Sequence, residues 1–196
     1  MIALAFIAVF IYLLYKLAAN YDATANLPEV FVVFDLETTG LHPGRHEILE
    51  IAAVKYTKAG RTYQSFQRLV KPSKKIPQAA TAIHGITQEL VNREGVPLDE
   101  ALHEFIDFIG DHPIVAYNLQ FDMGFLKAAL DKHQLKLKNK RSCALKKARR
   151  AFRDLDSYKL ANVARYLGCK TDGTHRALKD SELALAVYLD AMSELA

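Results

Sequence analysis

FVVFDLETTG, residues 31–40, runs four apolar residues straight into two acids, Asp35 and Glu37, one position apart. The Phe and Val run predicts a buried strand. Residues i and i+2 of a strand share a face, so both carboxylates point the same way at its end. Like charges this close repel, and burial adds to the cost. A hard cation between them, acid–base work, or plain solvation at a strand end would each make the pair tolerable.

Outward from that strand the pattern alternates. Residues 29–36 are the strand itself, followed by turn residues at Gly40 and HPGRH. ILEIAAVKYT (48–57) and RTYQSFQRLV (61–70), joined by KAG, predict a hairpin. KPSKKIP breaks the chain. A helix is predicted from Leu98 to Ile109, with apolar positions at Leu98, Ala101, Leu102, Phe105, Ile106 and Ile109, stopped by Gly110. PIVAYN reads as a short buried strand, and helical patterns fill 122–133, 142–152, 157–167 and 176–195. Strands first, then helices mixed with strands, imply an α/β layer fold with a mixed sheet.

The first residues read as a separate object. MIALAFIAVFIYLLY, residues 1–15, has no charged side chain before Lys16. A helix over residues 1–19 would rise about 28 Å, near the roughly 30 Å of a bilayer core. Lys16 could snorkel, and Tyr12 and Tyr15 suit an interface. A cleaved signal peptide is the rival: ATA at 23–25 resembles a cleavage site, but the positive n-region is missing. The expectation is an N-terminal hydrophobic helix acting as a transmembrane anchor (1–19), a polar linker (20–28) and a catalytic domain (29–196). The Lys/Arg bias places that domain in the cytoplasm, as at a bacterial inner membrane.

The 196 residues suffice for one domain with a sizeable core. Net charge is only +4, but ten Lys or Arg and no Asp or Glu lie between Lys132 and Arg153. Such a block suits nucleic-acid backbone, an anionic membrane surface, or simple solvation. Cys143 and Cys169 have no metal-type spacing and read as reduced thiols.

Three further residues bear on the opening pair. Asp122 follows PIVAYNLQF and opens a helix directly after a buried strand, at the sheet edge where sites form. As a bland alternative it is a first-turn acid. Asp180, in THRALKD, lies early in the last helix. His175 precedes it by five residues, about 140° around a helix. The two can share a site only if His175 sits on the loop before the helix, which the Gly-containing TDGTH permits.

FDLETTG, AYNLQFDMGFL and HRALKD, in this order, resemble the three motifs of the DEDDh 3′→5′ exonucleases of the DnaQ-like superfamily. All five signature positions are filled, by Asp35, Glu37, Asp122, His175 and Asp180. AIHGIT (82–87) is similar to the segment between the first two motifs, and the resemblance runs from Val30 to Leu189. Tyr117 departs from it, standing where the family often has His. The resemblance implies an RNase H-like fold, a mixed five-stranded sheet flanked by helices. It implies two Mg²⁺ or Mn²⁺ ions held by Asp35, Glu37, Asp122 and Asp180, with His175 as general base. Oxygen-only ligands suit those metals, and an imidazole of pKa about 6.5 suits proton transfer near neutral pH. It further implies that Thr38, His84, Asn118 and Phe121 surround the terminal nucleotide of a nucleic acid with a free 3′ end. DNA is expected ahead of RNA as that polymer. A non-catalytic binding module would have lost a carboxylate, and none is lost.

Overall fold

A computed structural model describes residues 26–59, 62–172 and 175–196. Three long strands come first: β1 (Val30–Thr38), β2 (Ile48–Thr57) and β3 (Thr62–Leu69). Two short helices, α1 (Gln78–His84) and α2 (Gln88–Glu94), precede α3 (Leu98–Ile109) and the three-residue β4 (Ile114–Ala116). Then come α4 (Leu119–Lys132), β5 (Arg141–Cys143), α5 (Ala144–Ala151), α6 (Leu160–Tyr166) and α7 (Ala177–Glu194). The sheet order is β3-β2-β1-β4-β5. β1–β2 and β2–β3 pair antiparallel, while β1–β4 and β4–β5 pair parallel. This is the expected mixed five-stranded sheet with flanking helices.

The alternation along β1 sorts the core into two layers. Phe31 and Val33 pack with Val54, Tyr56, Val115 and the inner faces of α5, α6 and α7. Val32, Phe34 and Leu36 pack on the other face with Phe66, α3 and α4. Asp35 and Glu37 continue the first set by the two-residue period, so they point to the α7 side. A smaller cluster of Leu49, Ile76, Ala80, Ile86 and Val91 seats α1 and α2. Leu27, inside the expected linker, is buried with the α7-side core.

The predicted helix over 98–109 matches α3, because Ala101, Leu102, Phe105 and Ile109 form one buried stripe. The short elements α1, α2 and β5 escape a periodicity reading. Each helix has seven residues, less than two full helical turns.

The expectation of a membrane-anchored chain is corrected. Among the described residues no helix is long and apolar enough to cross a membrane. The longest, α7, carries Lys179, Asp180, Glu182, Asp190 and Glu194. Helices of this body bury one apolar stripe against the sheet and keep charges on the other, which is unsuited to lipid. The expected N-terminal helix (1–19) and most of its linker lie outside the described residues. The inner-membrane, cytoplasm-facing placement has no support in the folded body.

Candidate active site

The site forms where β1 leaves the sheet. Glu37 pairs across the ladder with Glu50 of β2, and a register shift follows between Glu37 and Thr38. That irregularity ends regular pairing beside the two acids. The turn beyond is tied down: the Thr38 hydroxyl donates to the Gly40 carbonyl (2.7 Å), and the Glu47 N–H donates to Thr39 Oγ1 (2.9 Å). A Cβ at Gly40 would push the His46 ring aside.

Asp180 reaches the same place from the first turn of α7. Asp35, Glu37 and Asp180 each offer a carboxylate oxygen within 4.8 Å of the others. Asp122, in the first turn of α4, is 2% exposed and repels Asp35, but it lies outside that mutual cluster. His175 stands two residues before α7 with φ +67°, a left-handed value uncommon for a non-glycine residue. It is therefore not helical, and its backbone N–H donates to Asp180 Oδ2 (3.2 Å). Its side chain is exposed.

The carboxylates carry the electrostatic cost foreseen from their spacing. Burial, with Asp122, Glu37, Asp180 and Glu50 adding repulsion, holds Asp35 well above the usual carboxylate range. Glu37 is pushed to about 8 by burial and by Asp180 and Glu50, with Arg176 pulling back. Asp122 rises to about 7 through burial, opposed by its own N–H and that of Leu36. Asp180 rises chiefly through burial, against the pull of His175. Asp180 Oδ1 is buried without a hydrogen-bond partner among the described residues. Clustered oxygens, mutual repulsion and an orphaned carboxylate oxygen together fit a divalent cation bound by hard ligands. The Mg²⁺ and Mn²⁺ ligand chemistry is the same here.

The residues expected around the terminal nucleotide divide. His84, at the end of α1, is buried; its Nδ1 accepts from the Ile86 N–H (3.0 Å), which leaves the ring proton on Nε2. That Nε2 has no partner among the described residues. Burial lowers the His84 pKa, opposed by Glu50 and the Thr38 backbone. Asn118 is the exposed N-cap of α4 and makes no side-chain cap bond. Phe121 is half-buried against Phe125, ring centroids 5.2 Å apart, and Thr38 has its hydroxyl engaged in the turn. Tyr117 is core: its hydroxyl donates to the Tyr158 carbonyl (2.7 Å), and burial raises its pKa.

Sequence reasoning missed Glu50, Leu41 and Ile83. Glu50 is fully buried opposite Glu37 on the neighbouring strand, and a lone acid inside ILEIAAV was the available signal. Leu41 (72% exposed) and Ile83 (60%) are exposed aliphatic residues that adjoin Gly40 and His84 in sequence. Exposure of an aliphatic residue leaves no trace in the sequence pattern.

The sequence signature of the family described as exonuclease covers residues 32–188. DNA polymerase III subunit epsilon of Aquifex aeolicus is 34% identical over 171 residues, covering 86% of this chain and 83% of that protein. A DNA polymerase III of the PolC type from Clostridium perfringens is 40% identical over 157 residues, covering 80% of this chain but only 11% of that far longer protein. Among solved structures, the nuclease domain of 3′hExo, a DEDDh family member bound to rAMP, superposes with TM-score 0.70. That match has 19% identity and covers 84% of this chain and 92% of that domain. The signature over most of its length and the relative from Aquifex aeolicus make this chain a member of the exonuclease family, and it shares the fold of the DEDDh nuclease domain of 3′hExo.

Proposed function

We propose that this chain is a metal-dependent 3′→5′ exonuclease that hydrolyses the terminal phosphodiester of single-stranded DNA and releases nucleoside 5′-monophosphates, with residues 29–196 as the catalytic domain. The observation that carries the reading is the convergence of Asp35, Glu37 and Asp180 within 4.8 Å from two separate elements. Buried like charges are retained only where something offsets them, and such perturbed groups mark functional sites.

Asp35, Glu37, Asp122 and Asp180 are assigned to hold two divalent cations, Mg²⁺ or Mn²⁺. When bound, these supply positive charge that stabilises the attacking and leaving oxygens of an in-line displacement. The chain's own groups do the rest. The His175 ring takes a proton from the attacking water at its free ring nitrogen. Its backbone N–H donates to Asp180, which ties His175 to the start of α7 beside that carboxylate. Water oxygen bonds to phosphorus while the bond from phosphorus to the penultimate O3′ breaks. The leaving O3′ takes a proton from solvent, so the shortened strand ends in a hydroxyl and the released nucleotide keeps the phosphate. His84, whose buried Nε2 has no hydrogen-bond partner among the described residues, is assigned as a donor to the 3′-terminal nucleotide. Asn118, Phe121 and the Thr38 turn form the remaining walls. Leu41 and Ile83 offer apolar surface to the terminal base, a contact that tolerates any base. Exposed Lys146, Arg149 and Arg150 on α5 are candidates for the upstream phosphates.

DNA is favoured because the relative from Aquifex aeolicus is a DNA polymerase III subunit. An exoribonuclease is the second reading, motivated by the structural relative bound to rAMP. Matched DNA and RNA oligonucleotides differ at the site only in the 2′-OH. Incubated side by side with Mg²⁺ or Mn²⁺, the DNA should ladder from its 3′ end, and EDTA should stop it. Laddering of RNA alone would reverse the substrate assignment. Absence of any laddering would leave only a binding module, and laddering indifferent to EDTA would overturn the metal dependence.

A further inference from the structure

Glu50 is a carboxylate with no exposure, yet it is fully partnered. Oε1 accepts from Arg176 Nη2 (2.8 Å) and from Gln67 Nε2 (2.7 Å). Oε2 accepts from the Ala177 backbone N–H (3.0 Å) and Arg176 Nε (3.3 Å). These donors come from β3 and from the first residues of α7. One side chain of β2 thus ties the N-terminus of α7 to the sheet. A second tie lies one turn on, where the Ser181 hydroxyl donates to the Ala52 carbonyl (3.3 Å). Asp180 sits between the two ties, and His175 immediately precedes Arg176. Glu50 is also the cross-strand partner of Glu37, so it shares a strand register with the other half of the acidic cluster.

We propose that the Glu50–Arg176 pair is a positioning device: it sets the distance and rotation of Asp180 and His175 relative to Asp35 and Glu37, and so determines how well the cluster binds a divalent cation. This rests on the exonuclease reading above. Neither residue touches the reacting atoms. The physical case is that a helix N-terminus held by one backbone bond and a two-pronged guanidinium contact has little freedom to slide or turn. Arg176 also offsets part of the repulsion that Glu50 exerts on the acids beside it. Arg176 opposes the rise of the Glu37 pKa that Glu50 promotes. The outward side of Arg176 lines an open groove of about 350 Å³ with Gln67, Arg68 and Glu94, so a shorter or uncharged side chain fits there without crowding.

The test uses the full chain and three variants: Glu50→Gln, Arg176→Lys and Arg176→Gln. Mn²⁺ alone is titrated calorimetrically without nucleic acid, and steady-state cleavage is measured at saturating Mn²⁺. Disrupting partners that orient metal ligands typically lowers metal affinity about 10–100-fold. The expected result is a weakening of Mn²⁺ binding of about tenfold or more in Glu50→Gln and Arg176→Gln. The kcat should fall with KM for the oligonucleotide within about threefold, and Arg176→Lys should recover part of the loss. Melting curves identify folded variants, and Arg176→Gln, altered at a partly exposed residue, secures the comparison if Glu50→Gln unfolds. Unchanged Mn²⁺ affinity in a folded Arg176→Gln overturns the proposal. So does a loss confined to KM, which would make Arg176 a substrate contact. If the unaltered chain binds Mn²⁺ but cleaves nothing, the exonuclease reading fails while the positioning claim is still decided by calorimetry.

Discussion

Glu50 and Glu37 are the same residue type, directly opposite each other on adjacent strands, and their surroundings are opposites. Glu50 receives four hydrogen bonds from Gln67, Arg176 and Ala177. Glu37 accepts none among the described residues, faces Asp35 and Asp180, and is pushed to about 8. A buried carboxylate with matched donors is scaffold, because the protein supplies its own compensation. A buried carboxylate left without them is a place where compensation comes from outside. The pair shows how one fold can hold acids for both purposes a few ångströms apart.

Removing a member of the donor-starved set should have the largest effect on activity. Asp35→Ala is expected to abolish 3′-end cleavage while leaving the melting curve intact; a variant that still ladders oligonucleotides would break the contrast at its root. His175→Ala should leave weak activity, reduced about 10²–10⁴-fold and shifted to higher pH, as read from a pH–rate profile, because a general base contributes that much.

Stability should move in opposite directions for the two glutamates. Glu50→Ala leaves the donors on Gln67, Arg176 and Ala177 without their acceptor and should destabilise by about 1–3 kcal/mol. Glu37→Gln removes a repelled, half-buried charge and should stabilise the metal-free chain at pH 8 by about 1–2 kcal/mol. Urea melts of both variants check this, and effects of the same sign would refute the distinction.

The pH dependence is a slope. Glu37 and Asp122 have folded pKa values of about 8 and 7, above the ordinary carboxylate values expected in the unfolded chain. Between those limits the folded state binds more protons than the unfolded one. Metal-free stability should therefore fall as pH rises from about 5 to 8. Added Mg²⁺ should raise the melting temperature more at pH 8 than at pH 5, since it binds only the ionised carboxylates. A flat melting temperature across that range would show that the acids are already neutralised by the protein.

Much of this could be read from residues in order. The two-residue period put Asp35 and Glu37 on one face, and β1 holds them on the α7 side as the period requires. The helical stripe of α3 and the hairpin of β2 and β3 followed from local apolar spacing. The short β5 did not, because Arg141–Cys143 is a strand only by pairing with β4 and lies inside a basic run. Tyr117 stood within a motif yet serves the core, since a hydroxyl finds its role only when Tyr158 arrives beside it. The apolar stretch over residues 1–19 invited a membrane reading that the charged, sheet-packed helices of the described body do not support.

What the sequence alone determined is the identity and local direction of the five motif residues, because strand and helix periods are properties of neighbouring residues. What only the tertiary structure decided is which of them meet. Asp35, Glu37 and Asp180 form one cluster while Asp122 lies beside it, and His175 enters through a left-handed residue before α7. Glu50 became visible only with α7 laid across β2. Each of those facts depends on contacts between distant segments, and packing, not periodicity, sets their distances.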